Sequence, residues 1–285
     1  MTLAGRGVVI DDRTMDEAPA APPAQRAPRA LWRTVAIPAE HGGWGLTLEP
    51  ALLGLLVAWS TAGVCLALAA FIGFLARTPL KLVLVDASRH RTLPRTVVAR
   101  RVAGAELLVL AGLTAVAFAL ARGPFWVPAL VAGPLVAVEL WFDMRSRSRR
   151  LVPELAGAIG ISSVVAMIVL ADGGSARLAC GLWLVLAARS LTSIPFVRAQ
   201  IARLHQHARS ASTLVYADLA AVVVAAAAVG LDHALGAGAV AIVAVVIYQR
   251  ASSRSPLPRA VVLGIRQMVL GLVVVVLTAV GVWVT

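Results

Sequence analysis

Long runs of apolar residues, broken by short polar segments, make up the chain from residue 44 to its last residue. A helix needs about 20 apolar residues to cross the roughly 30 Å hydrocarbon core of a bilayer, because each residue adds about 1.5 Å. Dividing the apolar runs at their polar breaks predicts an all-α, polytopic transmembrane bundle of about nine spans. The predicted spans cover residues 44–60, 62–80, 102–121, 124–142, 153–171, 176–194, 212–230, 234–249 and 262–284.

The amino-terminal segment, residues 1–30, has a different pattern. It combines four acidic residues with an alanine- and proline-rich run at 18–23, and it contains no apolar segment of the kind found in a signal peptide. We therefore predict a disordered cytoplasmic tail over residues 1–30 and a single transmembrane helical domain over residues 31–285.

Composition strengthens the membrane assignment. Hydrophobic residues make up 60% of the 285 residues and charged residues only 14%. A soluble domain needs a more highly charged exterior, so this composition excludes the soluble classes.

The distribution of basic residues predicts an orientation. With nine spans, 24 of the 26 lysines and arginines fall on one side, and only Arg122 and Arg177 fall on the other. Because basic segments resist translocation, we predict a multi-pass protein of the cell membrane with a cytoplasmic amino terminus and an external carboxyl terminus. The net charge of +12 then reflects topology and the anionic leaflet, and it requires no nucleic-acid partner.

Acidic residues inside the spans share a similar predicted depth. Each lies within about two helical turns of a predicted cytoplasmic end, and no predicted span has a charge near its middle. A charged group in hydrocarbon costs at least about 2.5–3.5 kcal/mol, so retained charges usually face the protein interior. This distribution predicts polar chemistry in the inner third of the membrane and weighs against a coupled transporter. The acidic residues are Glu49, Glu106, Glu139, Glu154 and Asp218.

Two basic clusters, at 77–101 and 189–209, follow long apolar segments. The tripeptide at 76–78, Ala-Arg-Thr, is echoed by Ala-Arg-Ser at 188–190, which indicates two related halves that bring two cationic loops together. A proline follows each tripeptide, Pro79 or Pro195, and is expected to bend or end the helix there.

Arginines at broken helix ends suit phosphate or carboxylate groups, because the guanidinium fork binds two oxygens at once. The alternative is that these residues serve only topology and contact with phospholipid headgroups. The predicted substrate-binding residues are Arg77, Lys81, Asp86, Arg189, Ser193, Arg198 and Arg203.

Candidate acid/base residues lie near the first span. Glu40 and His41 precede two glycines and Trp44, and a histidine there can donate, accept or ligate near neutral pH. The alternative is a turn that starts the helix, anchored by the tryptophan. With Glu154, these two residues form the predicted catalytic set.

A metal site is not predicted. His205 and His207 lie close together, but no acidic residue occurs between Asp172 and Asp218, so the ligand set is incomplete. No cofactor is predicted either.

Three motifs resemble the YwiC-like family of bacterial membrane proteins. They are Glu-His-Gly-Gly-Trp-Gly at 40–45, the stretch from Arg189-Ser190 to Pro195-Phe-Val-Arg198, and Pro258-Arg259 with Leu263-Gly264-Ile265. The resemblance extends over most of residues 35–285 and implies a membrane protein without indicating a particular activity.

The architecture is also similar to the UbiA superfamily of intramembrane prenyltransferases. In that family, Asp-rich motifs after spans two and six hold Mg²⁺ and an isoprenoid diphosphate. Here Asp86 is the acidic residue where the first motif would lie, and the second position has none. Since two carboxylate clusters are what magnesium diphosphate needs, this departure argues against magnesium-dependent prenyl transfer.

Two functions remain open. The first is binding of, or chemistry on, an anionic isoprenoid or quinone-type lipid in a cationic cytoplasmic-side cavity, with the arginines replacing the metal. The second is a small-molecule transporter or exporter, or a non-catalytic partner in a membrane complex. Whether the protein is an enzyme stays open, as does its oligomeric state.

Overall fold

The computed structural model describes residues 43–145, 150–204, 211–253 and 259–285, and Glu40, His41 and the predicted tail lie outside them. Within these ranges the chain is helical throughout, with nine α-helices and one short 3₁₀ helix, so the all-α prediction is confirmed. The helices are α1 (Gly43–Val57), α2 (Thr61–Ser88), α3 (Pro94–Leu120), α4 (Trp126–Met144), α5 (Leu151–Ala171), α6 (Ala176–Leu204), α7 (Ala211–Leu231), α8 (Gly236–Ser252) and α9 (Ala260–Val284), with the 3₁₀ helix at His233–Leu235.

Eight apolar helical segments of the described residues are long enough to cross a bilayer. They correspond to α2 through α9, so the predicted polytopic bundle is confirmed. The apolar part of α1, Trp44–Val57, is shorter. At about 1.5 Å per residue, the 15 residues of α1 cover roughly 22 Å, less than the hydrocarbon thickness.

Consecutive helices are joined alternately at two ends of the bundle. The tight-turn end holds the connections 58–60, 121–125, 172–175 and 232–235, and the basic end holds the connection 89–93 together with the helix ends at Met144, Leu151, Leu204, Ala211, Ser252 and Ala260. At the tight-turn end the connections contact one another: the amide of Arg122 donates to the carbonyl of Ala171 at 2.8 Å. The indole of Trp283 donates to the carbonyl of Leu56 at 2.9 Å, which places the end of α9 there too.

Three helices, α2, α3 and α6, extend well beyond their predicted limits at the basic end. Pro79 lies inside α2 and Pro195 inside α6, so the prediction that these prolines end the helices is wrong, whereas a bend there stays a prediction. Membrane helices tolerate proline because neighbouring helices and nearby hydroxyl groups satisfy the freed backbone groups. Their continuation places Arg77 and Lys81 on one face of α2, and it places Arg198 and Arg203 within α6.

The bundle core is built around α5 and α6, which are the most buried of the candidate spans. Gly54 of α1 and Gly63 of α2 both lie against Ile168 of α5, where an added methyl group would come within 2.9 Å of the Ile168 side chain. Small residues at such contacts let membrane helices approach closely. Leu182 and Leu186 of α6 complete this centre.

The helix contacts are consistent with two halves. Among α1–α4, α2 packs against the other three, and among α5–α8, α6 does the same. Contacts of α5 with α1, α2 and α4 join the halves, and α9 packs against α1, α6 and α8. The bundle thereby brings α6 next to α1, α8 and α9, where the most deeply buried cation lies.

Candidate functional site

Ionisable side chains of different helices lie at a common depth, which we call the polar layer. In α6, α7 and α4, the residues Arg189, Asp218 and Glu139 lie equally far along the chain from the tight-turn end of their helix. Since each helical residue adds about 1.5 Å, each of the three is about 20 Å from that end. In hydrocarbon about 30 Å thick, this depth is the third nearest the basic end.

Two charged side chains lie near the midpoint of a helix. Arg189 lies halfway along α6 and Glu106 halfway along α3, because both helices extend further at the basic end than the apolar pattern indicated. Each lies about as far from the tight-turn end of its helix as the rest of the polar layer, so the prediction that charges avoid the middle of the membrane spans stays a prediction.

Arg189 is the most buried cation of the described residues, with 2% of its surface exposed. Its Nη2 donates to the main-chain carbonyl of Gln267 in α9 at 2.6 Å. The same nitrogen lies 4.0 Å from Oε1 of Glu49 in α1, which is 5% exposed. The three helices α1, α6 and α9 thus meet at one buried ion pair that is longer than a hydrogen bond.

The Glu49 carboxylate lies against a glycine. A methyl group added at Gly271 of α9 would overlap this carboxylate, and one added at Gly45 would come within 3.8 Å of it. The absence of a side chain at Gly271 therefore creates the space that Glu49 occupies.

Two nitrogens of Arg189, Nε and Nη1, are buried and have no hydrogen-bond partner among the described residues. A buried charged donor without a partner has lost the hydration it had in water, which is unfavourable. Such donors usually form hydrogen bonds in the functional state of a protein, for example with a bound ligand. These nitrogens are suited to donate to the oxygens of an anion.

A chain of polar side chains extends from Gln267, the residue that accepts from Arg189, towards α7. The amide nitrogen of Gln249 in α8 lies 3.4 Å from Oε1 of Gln267, and the Thr192 hydroxyl lies 3.0 Å from Oε1 of Gln249. The same hydroxyl is 2.6 Å from Asp218, whose other oxygen accepts from Nε of Arg250 at 2.6 Å. The polar layer therefore links α6, α7, α8 and α9 through buried hydrogen bonds.

A second charged cluster joins α2 to α4. Asp143, 2% exposed, accepts from Nε and Nη2 of Arg77 at 3.0 and 2.9 Å, and its other oxygen lies 3.4 Å from Nζ of Lys81. Glu139 lies 2.8 Å from Nη2 of Arg77, and a methyl group added at Gly157 of α5 would overlap its carboxylate. Arg77 and Lys81 are thus paired with acids inside the protein.

Asp86 organises the connection between α2 and α3. It accepts from the Thr96 hydroxyl at 2.5 Å and lies 3.6 Å from Nη2 of Arg95. Thr96 in turn accepts from the amide of Leu93 at 3.1 Å, so Asp86 fixes the start of α3.

The remaining predicted residues lie along α6. Arg198 pairs with Glu154 of α5 at 2.7 Å, and Nη1 of Arg203 donates to the carbonyl of Ser253 at 2.6 Å. The Ser193 hydroxyl donates to the carbonyl of Arg189 one turn earlier. These contacts tie α6 to α5 and α8.

The predicted substrate-binding residues therefore occupy separate surroundings. Arg77 and Lys81 contact α4, Asp86 contacts the start of α3, and Arg189 contacts α1 and α9. The predicted catalytic residues Glu40 and His41 lie outside the described residues, so their acid/base role, like that of Glu154, stays a prediction.

A small cleft lies between α6, α8 and α9, on the basic-end side of Arg189. Gln267 connects Arg189 to the cleft, because its main-chain oxygen accepts a hydrogen bond from Arg189 and the residue also lines the cleft. The exposed Arg266 adds a positive charge at this surface. The lining residues are Phe196, Gln200, Tyr248, Ser252, Leu263, Arg266 and Gln267.

A metal centre has no support in the described ranges, where no group of three or more histidine, cysteine, aspartate or glutamate side chains comes together. His205 and His207 lie outside those ranges, so the absence of a metal stays a prediction.

The comparisons with known proteins bear on the two resemblances differently. No curated protein and no solved structure matches the chain, and the similarity to the UbiA superfamily stays a prediction. A family model described as YwiC-like protein matches residues 37–169, from the Glu-His-Gly-Gly-Trp-Gly motif to near the end of α5. The predicted resemblance to the YwiC-like family is therefore confirmed over these residues, and this multi-pass helical chain is similar to YwiC-like proteins there.

Proposed function

We propose that this protein binds an anionic lipid of the isoprenoid or quinone type, with the anionic headgroup at Arg189. The observation that carries the proposal is the buried guanidinium whose Nε and Nη1 have no partner among the described residues. Oxygens of a phosphate or carboxylate would satisfy these donors with charge-assisted hydrogen bonds, which are stronger than neutral ones.

In this proposal the headgroup approaches Arg189 from the side of the cleft, which widens as the lipid enters. Arg266 and the side-chain amides of Gln200 and Gln267 are polar groups at the cleft, while Phe196 and Leu263 provide apolar contact. A lipid entering between α6, α8 and α9 would keep its apolar tail beside these helices as its headgroup approaches Arg189. Binding pockets commonly combine a mainly apolar wall with a few polar groups that fix the ligand.

Magnesium is not required in this proposal. Arg189 and Arg266 supply positive charge for the headgroup, whereas four acidic residues are already paired with arginine, lysine or threonine: Glu139, Asp143, Glu154 and Asp218. Fixed cationic groups stabilise an anion directly when water is excluded.

Binding of farnesyl phosphate to the purified protein in lipid nanodiscs tests the proposal. We expect saturable binding in the presence of EDTA and at least about a tenfold loss in Arg189→Gln, since a hydrogen bond to a charged group contributes about 1.5–3 kcal/mol. Arg77→Gln is the matched control, because Arg77 is already paired with Asp143 and Glu139. Equal losses in both variants would support the single shared site predicted from the sequence; binding that requires Mg²⁺ would contradict the proposal.

A transporter is the second candidate. The position of Arg189 and Glu49 within the polar layer favours it, because a buried ion pair at that depth can interact with a solute crossing the bundle. Flux of an anionic solute into liposomes, without chemical change of that solute, would support transport over lipid binding.

A further inference from the structure

We propose that anion binding at Arg189 is accompanied by the uptake of one proton at Glu49. This inference rests on the proposed function and concerns how the same site is regulated. The proton comes from water and binds to a carboxylate oxygen of Glu49, and no covalent bond of the ligand changes.

The charge balance of the buried Arg189–Glu49 pair favours proton uptake. Arg189 and Glu49 together carry no net charge, and both are almost fully buried. A monoanion added beside them would leave one uncompensated negative charge in a medium of low polarity, which is strongly unfavourable. Protonation of Glu49 restores neutrality, so that Arg189 then pairs with the ligand.

The enclosed position of Glu49 also favours proton uptake. The carboxylate occupies the space left by Gly271, with Gly45 on its own helix nearby, and only 5% of the residue's surface is exposed. The separation of 4.0 Å from Arg189 leaves room for a competing acceptor on the guanidinium. Because the carboxylate is enclosed, its charge is removed more readily by a proton than by movement into water.

Most other charged groups on the helices packed against α1 are paired with residues other than Glu49. On α5, Glu154 pairs with Arg198; on α2, Arg77 and Lys81 pair with acids of α4, and Asp86 lies against Thr96 and Arg95. Arg266 of α9 lies at the cleft, and Arg203 of α6 binds the carbonyl of Ser253. Among the described residues, Arg189 is thus the charged group that faces Glu49.

Titration calorimetry with farnesyl methyl phosphate tests the inference. This phosphodiester keeps a single negative charge between pH 5 and 9, so its own titration does not contribute. Measurements in buffers of different ionisation enthalpy report the protons taken up. We expect about one proton per ligand for the wild type in nanodiscs, and a Kd that rises up to tenfold for each unit of increasing pH.

Glu49→Gln mimics the protonated state. We expect it to bind at every pH without proton uptake, whereas Glu139→Gln, the control at the other glutamate that lies against a glycine, keeps the wild-type pH dependence. Binding by the wild type without proton uptake would overturn this inference and leave the proposed function intact. No binding by the wild type at any pH would overturn the proposed function and this inference with it. The wild-type measurement is decisive even if Glu49→Gln fails to fold.

Discussion

Arg77 and Arg189 are related in sequence but differ in their surroundings. Arg77 contacts two carboxylates of α4 within 3.0 Å, whereas Arg189 has one carboxylate at 4.0 Å and two buried nitrogens without partners among the described residues. In both pairs the glutamate lies against a glycine of a third helix: Glu139 lies against Gly157, and Glu49 lies against Gly271. Their chemical roles are therefore expected to differ, with structure favoured at Arg77 and ligand binding at Arg189.

Gly271→Ala tests the close fit of Glu49. The added methyl group would overlap the Glu49 carboxylate, and overpacking of this kind costs about 1–3 kcal/mol. We expect a lower free energy of unfolding in detergent micelles. Gly264→Ala is the control on the same helix, because no described atom outside its own helix lies within 4 Å of the new methyl group. Equal effects of the two substitutions would contradict the close fit.

Asp143→Asn tests the pairing of Arg77 and Lys81. Asparagine at this position has no charge, so Lys81 loses its acidic partner and Arg77 keeps only Glu139. Breaking a buried ion pair costs about 3–5 kcal/mol. We expect a corresponding fall in the free energy of unfolding. Asp172→Asn should change it by less than about 1 kcal/mol, since its partner Arg122 is exposed at the tight-turn end. A small effect at Asp143 would show that the cluster does not stabilise the fold.

At the scale of the helices, the sequence pattern predicted the number of elements better than their ends. The lengths of the apolar runs located the nine helices of the described residues, because a helix that crosses lipid requires a long apolar run. The pattern missed the extensions of α2 and α6 past Pro79 and Pro195, since basic residues and proline there have the composition of a loop. Those extensions determine which helices Arg198 and Arg203 contact.

The polar chain of α6 to α9 was the part of the site that could not be predicted. Thr192, Gln249 and Gln267 lie next to other polar residues in otherwise apolar helices, and a single sequence does not reveal which of them face each other. Their burial depends on contacts between helices that are distant along the chain. The available signal was weak, because each of the three has an arginine or serine beside it that could equally explain the polar position.

Thr192→Val tests that chain. The substitution preserves volume but removes the hydroxyl next to Asp218 and Gln249, and we expect a loss of about 0.6–1.7 kcal/mol, the range for hydrogen bonds between membrane helices. Thr278→Val is the control, because Thr278 is equally buried and its hydroxyl donates within its own helix to Val274. If the two substitutions have the same effect, Thr192 does not join the helices.

At the scale of the whole molecule, basic residues predict which end faces the cytoplasm. Single cysteines at Arg177 and at His90, exposed at opposite ends of the bundle, test this in a background without Cys65 and Cys180. In intact cells, a membrane-impermeant maleimide should label Arg177→Cys at the tight-turn end and spare His90→Cys, because basic segments resist translocation. The opposite labelling would reverse the orientation and place the polar layer near the external face.

The central claim is that Arg189 holds the headgroup of an anionic lipid, and mass spectrometry of lipids extracted with the protein in native membrane discs tests it most directly. We predict that an isoprenoid phosphate or another anionic isoprenoid or quinone-type lipid is enriched over the bulk membrane with the wild type and with Arg122→Gln. The enrichment should be lost with Arg189→Gln. Lipids identical to the bulk membrane in the wild type, or an enrichment unchanged in Arg189→Gln, would contradict the claim.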